Sequence, residues 1–116
     1  MKQDLIAWAA GFFEGEGCIT LGGNYPSLRL HNTDEEVVRR FHSVMGVGRL
    51  RGPYYKNSAH KPVWIWIATS YAEVTAAFEL MRPYLGTRRC ERYDELMQDR
   101  PRPRAWVHRK PFNTTC

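Results

Sequence analysis

The chain has little of several things that would place it quickly. It holds three cysteines, Cys18, Cys90 and Cys116, too few and too scattered for a disulfide framework. It has no CxxC pair and no HExxH run, so the ligand spacing of a structural zinc is absent. Its four histidines, His31, His42, His60 and His108, share no ligand spacing and read first as surface or strand positions. No apolar run approaches the ~20 residues of a membrane span, and the amino terminus lacks the basic-then-apolar order of a secretory signal. These absences point to a soluble cytoplasmic protein with no membrane partner; no small-molecule substrate is expected. At 116 residues there is no room for a second full domain. Folding at this length removes roughly two-thirds of the surface the unfolded chain exposes, enough for one core, and 13% aromatic residues help to fill it.

Carboxylates are missing from two stretches. None lies between Glu36 and Glu73, where Arg39, Arg40, Arg49, Arg51, Lys56 and Lys61 fall among Tyr54, Tyr55, Trp64 and Trp66. None lies beyond Asp99, where Arg100, Arg102, Arg104, Arg109 and Lys110 carry the whole net charge of +5. A polyanionic partner is the functional reading of this placement, and solvated charge that keeps a small domain soluble is the plain one.

Periodicity divides residues 1–99, read as one domain, from a basic Pro/Arg-rich tail at 100–116. From Asp4 to Gly15 the apolar residues Leu5, Ile6, Ala9, Phe12 and Phe13 recur at helical spacing. Ala7, Gly11 and Gly15 recur every four residues on another face. Glycine inside a helix costs about 1 kcal/mol relative to alanine, so this ladder implies close approach of another backbone. Cys18–Gly22 and Ser27–Thr33 alternate around Gly22-Gly23-Asn24 and predict a hairpin. Thr33-Asp34-Glu35-Glu36 has the form of a capping box, opening a helix through Val37, Val38, Phe41, Val44 and Met45 that Gly46 stops. Val47–Arg51 and Val63–Thr69 predict a second hairpin, joined by Gly52-Pro53 and Lys56–Lys61. Ser70-Tyr71-Ala72-Glu73 opens another helix, which Pro83 ends or kinks, and Thr87–Met97 can form a further one before an extended tail.

Ala9-Ala10-Gly11-Phe12-Phe13-Glu14-Gly15-Glu16-Gly17, at the end of the first helix, resembles the nine-residue signature of the LAGLIDADG homing endonucleases. Asn32-Thr33-Asp34, Gly46-Val47-Gly48-Arg49, Lys61-Pro62 and Pro83-Tyr84-Leu85 resemble further landmarks of that family, in its order, over roughly Leu5 to Met97. The resemblance implies an α+β domain of α-β-β-α-β-β-α order, whose antiparallel sheet forms a DNA-binding saddle. One signature implies a homodimer joined through Ala7, Gly11 and Gly15, reading a pseudo-palindromic duplex one half per subunit. It also implies a compartment containing DNA, whether bacterial, phage or organellar, and an intron-encoded or phage-encoded origin.

For the chemistry, the resemblance implies that Glu16, just past the helix, is a metal ligand together with the Gly15 carbonyl. Mg2+ suits such oxygen ligands, and Mn2+ or Ca2+ fits the same site. Glu14, in the sixth position of the signature, is expected to cap or support instead. Arg88, five residues after Pro83, matches a lysine near the scissile phosphate. Arginine cannot act as a general base, so Arg88 either holds a phosphate or simply opens a helix and faces solvent. His31 or Asn32 closes the second strand, where the family orders active-site water. Readout in a saddle falls to outward strand residues, here Thr20, Arg29, His31, Arg49 and Arg51, with Tyr54, Tyr55, Lys56 and Lys61 nearer phosphate. In Trp64-Ile65-Trp66-Ile67, either Ile65 and Ile67 meet thymine methyls or the strand is buried on both sides. The reading is a site-specific, metal-dependent double-stranded DNA endonuclease. Its alternatives are a cleavage-inactive DNA-binding protein on the same fold and an RNA-binding intron-splicing maturase.

Overall fold

The molecule, a computed structural model, is described over residues 2–22, 25–55, 61–98 and 114–115. Helix α1 (Lys2–Glu16) runs straight into the hairpin β1 (Gly17–Gly22) and β2 (Tyr25–Asn32). Then come α2 (Glu35–Met45), the hairpin β3 (Arg49–Tyr54) and β4 (Val63–Ala68), and α3 (Tyr71–Met81). A 3-10 turn (Arg82–Tyr84), α4 (Thr87–Gln98) and the two-residue strand β5 (Thr114–Thr115) complete the order. The fold is α+β, with helices on one side of an antiparallel sheet of strand order β3-β4-β2-β1-β5. Among the described residues no helix is long and apolar enough to cross a membrane.

Strand alternation sorts the sheet into two faces. Ile19 pairs with Leu28, and Leu30 and Leu50 both pair with Trp66, which places these side chains against the helices. Phe13 of α1, Phe41 of α2 and Trp66 of β4 are fully buried there, with Phe41 edge-on to Trp66 at 4.9 Å between ring centroids. Burial of such a side chain contributes about 1.5–3 kcal/mol, so these three rings are the main join between sheet and helices. The Trp66 indole N–H donates to the Val47 carbonyl at 3.0 Å, which satisfies the one polar atom of the ring. Phe78 and Tyr93 stack at 3.7 Å and attach α4 to α3.

Local signals set most boundaries. Ser70 and Glu73 form a complete capping box on α3. Gly46, at φ 75°, takes the left-handed conformation that ends α2. Pro83 lies in the 3-10 turn that separates α3 from α4.

Five expectations change. The cap of α2 is Asp34, whose carboxylate accepts the Val37 N–H, while Thr33 lies outside the helix. Glu16 is the last residue of α1, not a residue beyond it. Leu5, one of the five spaced apolar residues of α1, is 47% exposed; Ala9 and Phe13 of that set are buried, and Ala10 is buried with them, because these lie on the arc facing the sheet. Gly52-Pro53 belongs to β3, where the pairing with β4 shifts register, rather than to the connection. Cys18 is disulfide-bonded while Cys90 is free, so a disulfide is present although the cysteines offer no framework of them. The turn residues Gly23 and Asn24, the loop at Lys56, and Arg100, Arg102, Arg104, Arg109 and Lys110 lie outside the described residues.

Candidate nucleic-acid interface

The face of the sheet turned away from the helices gathers the basic strand residues. Arg29 of β2 and Arg49 of β3 both stand opposite Ile67 of β4, and His31 and Arg51 both stand opposite Ile65. All six side chains therefore share one face. Arg29, Arg49, Arg51, Tyr54, Ile65 and Ile67 line a depression of about 370 Å³. Ile65 and Ile67 are half-buried, whereas Trp66 and Ala68 on the opposite parity are buried against the helices, so β4 is covered on one side only. Arg29 and Arg51 have no ion pair with a described residue. Arg49 leans sideways: its Nη2 donates to the Thr69 hydroxyl at 2.9 Å and its Nη1 lies 3.9 Å from the Glu73 carboxylate.

Other residues of the basic window are placed elsewhere. Arg39 and Arg40 sit on α2 and stack over Trp64 and Trp8 at 5.6 and 5.2 Å, in the helical layer. Tyr54, Tyr55 and Lys61 are exposed around the rim. Thr20 lies on the open face but is only 7% exposed, and its hydroxyl is 2.6 Å from that of Ser27, itself 9% exposed. Of the two residues closing β2, His31 shares the face of Arg29 and Arg51. Asn32 has the opposite parity, and its side-chain Oδ1 accepts the Asp34 N–H at 2.8 Å, a turn-forming bond.

α1 passes directly into β1, whose first residue, Gly17, stands opposite Leu30 of β2. Gly15 and Glu16 are exposed there. Gly17 is buried, and a Cβ on it would run into the Phe13 ring, so only glycine lets the helix turn into the strand at this point. Glu14 is engaged from α4: its carboxylate accepts the Gly86 N–H at 3.0 Å and lies 3.5 Å from Arg89 Nε. Arg88, the preceding residue, is exposed and lines with Glu14, Ile19 and Arg92 a cleft of about 550 Å³. The sequence singled out Arg88 and missed Arg89, since nothing local signals a partner 75 residues away. On the far side of α1 from the core, Ala7 is half-buried, and a Cβ at Gly11 or Gly15 would meet nothing within 4 Å. Among the described residues no group of three His, Cys, Asp or Glu side chains is placed to hold a metal ion.

No family model matches the chain, and no curated protein matches it. Solved structures do. The homing endonuclease I-CvuI in complex with its target has a TM-score of 0.66 at 20% identity, over 83% of this chain and 66% of that one. The group I intron-encoded homing endonuclease I-CeuI complexed with DNA has a TM-score of 0.66 at 13% identity, over 82% of this chain and 53% of that one. The LAGLIDADG meganuclease I-CpaMI bound to uncleaved DNA has a TM-score of 0.62 at 18% identity, over 80% of this chain and 34% of that one. The fold is that of the LAGLIDADG homing endonucleases. The chain spans less than two-thirds of the length of these three structures. Within the LAGLIDADG fold the signature residues Gly11, Gly15 and Glu16 lie at the surface of α1, and the strand arginines lie on the open face of the sheet.

Proposed function

We propose that the protein is a homodimeric, divalent-metal-dependent endonuclease that cuts a pseudo-palindromic DNA duplex. The observation that carries this reading is the nearness in the chain of two surfaces: an open sheet face bearing Arg29, Arg49 and Arg51, and the exposed Glu16, two residues before Cys18, which stands opposite Arg29. The first surface attracts duplex DNA and reads it. Arginine pairs bidentately with guanine edges in the major groove, and an isoleucine between two arginines offers apolar contact to a thymine methyl. Tyr54, Tyr55 and Lys61 at the rim meet the phosphates.

The second surface supplies half of a site. One chain offers the exposed Glu16 carboxylate and the neighbouring Gly15 carbonyl, hard oxygen donors that fit Mg2+ and that need a second copy and the DNA phosphate to complete the set. When bound, the metal neutralises charge growing on the phosphate and lowers the pKa of the attacking water. Arg88 holds a phosphate oxygen, and His31, on the DNA face, orients water. The open ladder of Ala7, Gly11 and Gly15 lets a second α1 pack at close range, bringing the two Glu16 carboxylates together at the two-fold axis.

A selection from a randomised duplex pool in Ca2+, followed by sedimentation of the complex, tests this. A two-fold symmetric consensus bound by two chains is expected. An asymmetric consensus bound by one chain contradicts the dimer, and enrichment of structured RNA over duplex favours the splicing alternative.

A further inference from the structure

Glu14 stands where a carboxylate is costly. It lies in the last turn of α1, where the negative end of the helix dipole opposes it by a few tenths of a kcal/mol up to about 1 kcal/mol. Two tertiary contacts offset this. Its carboxylate accepts the N–H of Gly86, whose own carbonyl accepts the Cys90 N–H and so begins α4; a carboxylate at that end of a helix is favoured. Arg89 adds the second contact and does more than neutralise charge. Its Nε lies 3.5 Å from the carboxylate, its Nη2 donates at 2.9 Å to the main-chain carbonyl of Glu14, and its guanidinium lies over the Phe13 ring at 5.1 Å. That carbonyl is among the last four of α1, which have no partner within the helix. The Arg89 side chain is only 17% exposed and that of Glu14 43%, so the contact is shielded from solvent on the arginine side and screened on the carboxylate side.

We propose that Glu14 and Arg89 are a positioning pair that holds the last turn of α1 and the first turn of α4 as one body, fixing Glu16 relative to Arg88. The inference rests on the endonuclease reading and deepens it. Glu16 follows Glu14 by two residues, and Arg88 is the neighbour of Arg89. Neither member of the pair touches DNA or metal in this account. Each acts through the residue beside it. The fork of arginine matters, because one flat group spans a carboxylate and a carbonyl at once, and lysine brings a single ammonium.

The test compares full-length wild type with Arg89→Met, Arg89→Lys and Glu14→Gln. Three quantities are read: single-turnover cleavage against Mg2+ concentration, duplex affinity in Ca2+, and Mn2+ affinity of the protein–duplex complex by electron paramagnetic resonance. Arg89→Lys keeps charge and stem and guards against loss of folding in Arg89→Met. The expected result is duplex affinity within about twofold of wild type, with cleavage at saturating Mg2+ reduced by about 100-fold, the scale of a 1 Å misplacement. Weaker Mn2+ binding in all three variants accompanies it. A loss of cleavage matched by an equal loss of duplex affinity, or wild-type behaviour of the variants, overturns the positioning role. If wild type itself cuts nothing, the endonuclease reading fails, and the Mn2+ titration alone decides the pair: weakened binding in Arg89→Lys upholds it, and equal binding or none in either protein overturns it.

Discussion

Arg29 and Arg49 face each other across Ile67, each on a strand paired with β4. Strands lie about 4.8 Å apart, so two cations with one apolar side chain between them span about 10 Å of the sheet. Arg51 repeats the motif one step along, opposite Ile65 and His31. Cation and hydrocarbon alternate across the open face, which suits base edges better than a purely basic patch does.

Arg51 is therefore expected to specify a base, because it is exposed and not tied to a carboxylate among the described residues. Arg51→Ala is predicted to weaken binding by about 10- to 100-fold, or 1–3 kcal/mol, and to relax preference at one position of each half-site. Competition among base-substituted duplexes measures this. Equal weakening on every sequence would assign Arg51 to phosphate instead.

Gly11→Leu separates association from folding. The added side chain meets no neighbour within the chain, and leucine is a better helix former than glycine by up to about 0.8 kcal/mol. The variant is expected to melt no lower than the wild-type monomer and to sediment as a monomer. A stable Gly11→Leu dimer would move the interface away from this face of α1.

Gly48 carries a structural prediction independent of function. Its φ is +92°, and a Cβ there would stand 2.5 Å from Trp66 Nε1. Gly48→Ala is expected to cost about 2–4 kcal/mol by displacing Trp66 from its bond to Val47, read in a denaturant melt. A cost below about 1 kcal/mol would mean that β3 shifts freely at its start.

Asp94 carries a prediction about pH. Hydrogen bonds from Arg82 hold its carboxyl below the ordinary value near 3.8. A carboxylate with a depressed folded pKa stabilises the fold above its unfolded pKa and loses that contribution as the pH falls through the folded one. The pair is exposed, so Asp94→Asn is expected to cost at most about 1 kcal/mol at neutral pH, and the difference from wild type vanishes in strong acid. A difference that persists at the lowest pH would assign the effect to packing.

Local chemistry made much of this fold legible. Ser70 and Glu73, Gly46 and Pro83 act through their nearest neighbours, and each marks the boundary its chemistry implies. Asp34 took the cap from Thr33 because two adjacent residues both fit the pattern and only the backbone decides between them. Leu5 was read into the core because α1 is apolar around much of its circumference, so spacing alone does not say which arc faces the sheet. Strand alternation gave the parity of Arg29, Arg49 and Arg51 within their own strands, and the pairing of β2 and β3 with β4, which the sequence does not state, brings them to one face. The same alternation also put Thr20 there, yet Thr20 is buried. Arg89 was invisible for a different reason: its partners Glu14 and Phe13 come from the other end of the domain.

The most direct test of the account is cleavage of a randomised duplex pool by the purified protein in Mg2+, with the cut ends sequenced beside a Glu16→Gln control. Cuts are expected within one two-fold symmetric sequence, lost in Glu16→Gln, while that variant still binds the sequence in Ca2+. Cutting that survives Glu16→Gln would remove Glu16 from the mechanism, and a pool that is bound but left whole by wild type would make the protein a DNA reader without catalysis.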